Sequence, residues 1–295
     1  MRAIVQRTLG LAWVVPALVL VGVFVYLPLV QNFGFSALKW DIYSGDQEFV
    51  GLDNYTKLLD DPIFWSSFGN NLLYAVVSIV FQVFGALLLA ALIESVRSDR
   101  WRRSLRAIYF LPSAISLTVA GLLFYFIYEP NLGPLNHALE AVGLGLFDQS
   151  WLGQESTAMF AIIAMSQWQG FGYSTLLFAV AIQRIPSELY GAAAIDGTGP
   201  IRRFVHVTVP LVREMTGLMT MVTISGAFQV FNEVMVMTSG GPNNSTQVMG
   251  TWLYRSGFVR NNFGYAAAIA TVIFVVTLGI AMAQLWVTRR RRVEW

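Results

Sequence analysis

Six long apolar runs recur along the chain, roughly Leu11–Phe33, Asn71–Leu92, Leu105–Tyr128, Thr157–Ile182, Met215–Met237 and Tyr265–Val287. At about 1.5 Å per helical residue, each is long enough to cross a hydrocarbon core of about 30 Å. Backbone amides find no water in that core, so a run of this length closes its hydrogen bonds within a helix. The charge content agrees: 12% of the residues are charged and 56% hydrophobic, too few charges for a soluble surface. The expected fold is all-α and polytopic, with six transmembrane helices.

The basic residues orient those helices. Arg2 and Arg7 precede the first run, and Arg97, Arg100, Arg102, Arg103 and Arg106 fall between the second and third or at their border. Arg184, Arg202, Arg203 and Arg213 fall between the fourth and fifth, and Arg289–Arg292 follow the last. Lys39, Lys57, Arg255 and Arg260 remain on the other side. This bias places both termini in the cytoplasm. The expected organisation is a cytoplasmic N-terminus at 1–10, a six-helix domain at 11–287 and a basic tail at 288–295. The basic opening followed by an apolar run superficially resembles a signal peptide. The run is too long for an ordinary h-region and no small-x-small site follows, so it reads as a retained span.

Several function classes drop out. The chain has no cysteine, which excludes a disulfide scaffold, a thiol nucleophile and a Cys-based metal site. A net charge of +2 is not a nucleic-acid signal, because the arginines cluster beside membrane spans. His137 and His206 fall on opposite sides and cannot share a metal. No catalytic carboxylate pair or nucleophile–base arrangement points to an enzyme. The outer connections, acidic at 39–70 and turn-rich at 129–156, are too short to form a ligand-binding domain. Solute recognition then belongs inside the membrane, on a separate partner, or both. No repeat links the first and last three spans, which counts against a secondary transporter.

Between Pro186 and Pro210 the chain reads PSELYGAAAIDGTGPIRRFVHVTVP, an inner-face segment between two spans. Ser187 is expected to cap a helix that begins at Glu188, and Gly197 to end it after Asp196. That helix would be roughly 13 Å long. Leu189, Ala192, Ala193 and Asp196 fall near one face; Leu189 and Tyr190 offer apolar contact, Glu188 and Asp196 charge. Composition alone fits an interfacial helix or plain connector. The cap, small face, bend at Gly197–Pro200 and proline exit suggest a compact mechanical unit.

Polar groups inside the spans mark a candidate passage. In the fifth, Gln229, Asn232 and Glu233 are expected nearly on one helical face, with Phe228 and Phe231 nearby. A carboxylate facing lipid is costly, so Glu233 is expected to face a cavity or a partner. In the fourth, Gln167, Trp168, Gln169 and Tyr173 could join the same passage, with Gly170 and Gly172 permitting close helix packing. Gln82 is a weaker candidate. Polar packing between spans is the competing reading for each. Trp101, Trp286 and Trp295 read as membrane-border residues.

The inner-face segment resembles the cytoplasmic signature of permease subunits of bacterial type I ATP-binding-cassette importers, carbohydrate-uptake branch. The matching residues are Gly191-Ala192-Ala193, Asp196-Gly197 and Pro210, preceded by IQRIPSELY. Further similar pieces are FLPSAIS at 110–116, IYEPNLGPLN at 127–136, SGGPNNST at 239–246 and FGYAAAIA at 263–270. Gly191 stands where the family usually has Glu, so one docking contact is expected to differ. The resemblance implies a bacterial inner-membrane permease that couples to cytoplasmic ATPases through Glu188, Leu189, Tyr190, Gly191, Ala192, Ala193, Asp196 and Gly197. It implies a second, homologous permease subunit, two nucleotide-binding subunits and an extracytoplasmic solute-binding protein. The chain has no GxxxxGK[ST] loop, so ATP and magnesium are expected on the ATPase subunits and no cofactor on this chain. The expected cargo is a sugar, oligosaccharide or polyol; a glycerol-phosphate or glycerophosphodiester importer is the alternative within the family.

Overall fold

The computed structural model describes residues 13–41 and 43–289. The expected N-terminal segment 1–10, the first two residues of the expected first span, Trp295 and most of the basic tail lie outside them. The elements are α1 (Trp13–Phe35), a hairpin of β1 (Leu38–Trp40) and β2 (Gln47–Phe49), α2 (Asp53–Asp60), α3 (Pro62–Glu94), α4 (Asp99–Ala114) and α5 (Leu117–Ile127). There follow α6 (Pro134–Ala141), α7 (Glu155–Gln183), α8 (Ser187–Ile195), α9 (Pro200–Leu211), α10 (Arg213–Phe228), α11 (Asn232–Met237), α12 (Met249–Tyr254) and α13 (Phe263–Arg289). Among the described residues the regular structure is helical apart from the short antiparallel hairpin, in which Leu38 pairs with Phe49 and Trp40 with Gln47. That hairpin is an addition to the expected all-α fold.

Among the described residues, α1, α3 and α13 are long and apolar enough to cross a membrane. The bent pairs α4–α5 (90°) and α9–α10 (71°) raise the number to five. The remaining expected span is α7, 29 residues in one helix. Its central SQWQGFGYST lowers its hydropathy relative to the others.

Two expected straight spans are broken, each for a local reason. The third bends at Ile115–Ser116, both in extended conformation after a tight turn that contains Pro112. Ser116 then caps α5, its hydroxyl accepting from the Val119 N–H at 3.4 Å. The fifth ends as a regular helix at Phe228 and restarts at Asn232, with Phe231 at φ −152°. Asn71 links that break to the start of α12: its amide donates to Ala227 O at 2.5 Å, and its carbonyl accepts from Met249 N at 2.8 Å. An unwound segment persists at membrane depth only where such a partner exists.

The chain forms two compact units. In the first, residues up to Asp61 with 252–275, Asn54 donates to Ser36 O and Leu38 O, both at 2.9 Å, and holds the hairpin. Asn32 on α1 donates to Ala267 O and Thr271 Oγ1 on α13. Asp61 accepts from Trp252 Nε1 at 2.9 Å and the Tyr265 hydroxyl at 2.5 Å.

In the second unit α7 is the central strut. One buried cluster joins Ala120, Ile162, Met165, Ala227 and Val234; another joins Ala86, Ala90, Phe178, Ala179 and Met219. Lipid tails are as apolar as leucine, so close van der Waals approach carries this packing. The alanines at 86, 90 and 179, all fully buried, permit that approach.

Candidate functional site

The helix expected at the inner face is α8. Its N-cap is Pro186 (φ −56°, ψ 132°), and Ser187 is the first helical residue with no side-chain cap. This corrects the expected Ser187 cap: the extended proline already sets the entry. The C-terminus follows expectation. Gly197 stands at φ +71°, its N–H reaching Ala194 O and the Thr198 N–H reaching Ala193 O, both at 3.1 Å. These two bonds form a Schellman stop. The Tyr190 hydroxyl pairs with Thr208 Oγ1 at 2.9 Å, tying the rod to the segment that leads into α10.

Glu188, Leu189, Gly191, Ala192, Asp196 and Gly197 are exposed, while Tyr190 and Ala193 are half-buried. No atom lies within 4 Å of where a Cβ on Gly191 would stand, so the missing glutamate is not a steric matter. The structure adds two residues that sequence reasoning missed: Ile195 is 89% and Ile201 78% exposed. Large aliphatic side chains so exposed beside a rigid rod suit a covering partner. An exposed Ile directly before Asp196-Gly197 was the available signal.

The polar span residues do not share one face. Because the fifth span unwinds after Phe228, Gln229 and Asn232 are exposed, Phe231 is half-buried, and Phe228 and Glu233 are buried. Phe228 packs on Phe68 with ring centroids 5.9 Å apart. Glu233 accepts from the Tyr74 hydroxyl at 2.7 Å, and Tyr74 also bonds Ser166. Tyr74 and Ser166, on α3 and α7, were invisible as partners in the sequence because no periodicity links them to residue 233.

Gln167 is buried, donating to Ser78 Oγ and accepting from Gln82 Nε2, each at 3.0 Å. With Trp168 it lines a cavity of about 650 Å³ alongside Phe81, Tyr109, Phe160 and Phe171. Trp168 packs on Phe124 at 5.1 Å. Tyr173 is half exposed, does not line that cavity, and donates its backbone N–H to Ser113 Oγ. Gln169 donates to Ile115 O at 3.0 Å and so holds the bend between α4 and α5.

The glycine-rich segment after α11 is built, not slack. Asn70 donates to Ser245 O at 2.7 Å and Gln247 O at 2.8 Å, Thr238 pairs with Thr246 at 2.8 Å, and Asn243 donates to Glu155 at 2.7 Å. It borders a second cavity of about 660 Å³ with Tyr125, Tyr128 and Glu129. The backbone N–H groups of Leu132 and Asn131 hold the Glu129 carboxyl below its usual range. His137 pairs with Glu140 at 3.8 Å and His206 meets Arg202 O at 3.0 Å. Among the described residues no group of three potential ligands forms a metal site. Trp101 and Trp286 are both exposed.

Residues 82–293 match the family described as "Binding-protein-dependent transport system inner membrane component". The chain is 47% identical to the probable ABC transporter permease protein YurN of Bacillus subtilis, over 92% of this chain and 93% of that one. It is 34% identical to the diacetylchitobiose uptake system permease protein NgcF of Streptomyces coelicolor, over 96% of this chain and 82% of that one. In fold it is similar to a bacterial ABC transporter involved in the import of the acidic polysaccharide alginate. The TM-score is 0.86 at 23% identity, covering 99% of each chain.

Proposed function

The chain belongs to the family of binding-protein-dependent transport system inner membrane components, and from that membership we propose an importer permease whose cargo is a sugar, oligosaccharide or polyol. It is a multi-pass inner-membrane component, and ATP hydrolysis resides in separate subunits. In this reading the chain forms half of the translocation pathway beside a second permease, with two ATPases below and a solute-binding protein above. The cargo reading is supported by the diacetylchitobiose uptake permease among its relatives. The Gln167–Trp168 cavity also suits it, since an amide beside aromatic faces fits hydroxyls and ring C–H surfaces. The purified complex tests this with labelled neutral sugars, sn-glycerol 3-phosphate and a glycerophosphodiester. ATPase stimulation and uptake with a neutral sugar are expected; a response confined to the phosphates overturns the cargo assignment.

Force would enter through α8. The Schellman stop and the Tyr190–Thr208 bond make the rod and the start of α9–α10 move together, so a displaced docking groove tilts the fifth span. Gly191, Ala192 and Ala193 let the groove approach closely, Glu188, Leu189 and Asp196 contact its rim, and Gly197 turns the chain away. Ile195→Asp is expected to weaken docking about 30-fold, the effect of losing one central apolar anchor. Solute-stimulated ATPase activity should fall with membrane insertion unchanged. Full coupled uptake by that variant removes α8 from the coupling role.

In the pathway, Gln167, Trp168, Tyr173, Gln229, Phe231 and Asn232 would meet solute, with Phe228 and Glu233 fixing the unwound segment behind them. Glu233→Gln keeps the acceptor for Tyr74 and is expected to assemble normally with uptake lowered about tenfold, equivalent to about 1.4 kcal/mol in the barrier. Wild-type uptake with unchanged substrate dependence would remove Glu233 from the support of that segment.

A further inference from the structure

A cavity of about 450 Å³ lies at the inner end of the second unit. Its polar wall is Ser95 and Arg97 just past α3, Tyr190 on α8, and Arg203 and Thr208 on α9; Ala91, Ile182, Pro200 and Phe204 form the apolar wall. Glu94 borders it too, but its carboxylate is already spent: Arg106 donates Nε to Oε1 at 2.9 Å and a terminal nitrogen to both oxygens at 2.5 and 2.6 Å. Among the described residues neither Arg97 nor Arg203 is in an ion pair. Arg203 Nε is shielded from solvent with no hydrogen-bond partner. The Tyr190–Thr208 pair needs only one of its two hydroxyl protons for the 2.9 Å bond, so whichever group donates, the other proton is left for an outside acceptor.

A solvent-facing Arg97 outside any ion pair, an Arg203 whose shielded Nε lacks an acceptor, and a spare hydroxyl proton describe a site for a phosphate. A guanidinium is suited to phosphate oxygens, and a buried Nε–H without an acceptor is costly until one arrives. The apolar wall and the position at the inner membrane border distinguish a lipid from a dissolved ion. Basic pockets between helices on the cytoplasmic side are suited to acidic lipid headgroups. We propose that this cavity holds the phosphate of an anionic phospholipid between Arg97 and Arg203.

The bound phosphate would bridge the end of α3 to the segment that carries the rod. Occupancy then favours the arrangement in which Tyr190 and Thr208 are joined, by as much as the lipid prefers that arrangement to its alternative. The inference rests on the inner-face placement of α8 and is independent of cargo.

The permease purified with its partner subunits supplies the test, by titration with fluorescent phosphatidylglycerol in detergent without nucleotide or solute. Each surface arginine contributes about fivefold toward an acidic lipid, so the R97Q/R203Q double variant is expected to bind about 30-fold more weakly. R97K/R203K should lose much less, because it retains both charges. Phosphatidylcholine binding as tight as phosphatidylglycerol, or unchanged affinity in R97Q/R203Q, overturns the proposal. Competition by millimolar inorganic phosphate would assign the pocket to a dissolved anion and likewise overturn it. Because the readout is lipid binding, failure of the transport reading leaves this result interpretable, and the reverse holds.

Discussion

Arg106→Met is expected to destabilise the protein by about 3 kcal/mol, the low end for a buried ion pair, because it strands a mostly shielded carboxylate. The Glu94 side chain is 9% exposed and Arg106 23%, and three hydrogen bonds of 2.9 Å or less join them. The Gln183 amide, with its oxygen turned toward Arg106, accepts from both terminal nitrogens at 3.0 and 2.5 Å. One guanidinium on α4 thus fastens the C-terminal ends of α3 and α7. Glu94→Leu combined with Arg106→Met removes both charges and fills the space with carbon, so it should recover to within about 1 kcal/mol of the parent. Thermal unfolding of the detergent-purified protein distinguishes the cases. A single Arg106→Met as stable as the double variant would mean the pair is solvated and contributes little.

Gly172→Ala is the second large effect. A Cβ there would stand 1.9 Å from Tyr109 O, 2.7 Å from Tyr109 C and 2.9 Å from Phe110 Cα. All three atoms are backbone of α4, so no rotamer change relieves the overlap and the helices must separate. The expected cost is about 3 kcal/mol, the upper part of the range for overpacking. Gly170→Ala is the control with a flexible neighbour, meeting Gln82 Nε2 at 2.9 Å, and Gly69→Ala the control with open space. The first should lose about 1 kcal/mol, and the second should gain up to about 1 kcal/mol from helix propensity. Equal melting temperatures for Gly172→Ala and Gly69→Ala would show that α4 and α7 do not approach so closely.

Much of this was legible from residue type alone. The Gly197 stop needs a positive φ that glycine adopts without strain, and the apolar runs needed only their length. Over the expected fourth span the structure has one continuous helix, α7, but its polar centre leaves it outside the helices apolar enough to cross a membrane. The expected face shared by Gln229, Asn232 and Glu233 was not found. Helical spacing was carried through a segment that unwinds, and the groups permitting the unwinding, chiefly Asn71, lie over 150 positions away in sequence. Ser187 was misread because a preceding proline can set helix entry as well as a side-chain cap does.

Residue order and type alone were enough to read a membrane-spanning chain and the glycine stop of α8. Hydropathy, charge bias and glycine conformation are properties of short stretches. Where the third and fifth spans break, which polar groups are buried together, and the cavity shared by Arg97 and Arg203 emerge from long-range packing. Those outcomes depend on whether distant residues complete each other's hydrogen bonds, and in a core without water that completion is what makes a broken helix stable.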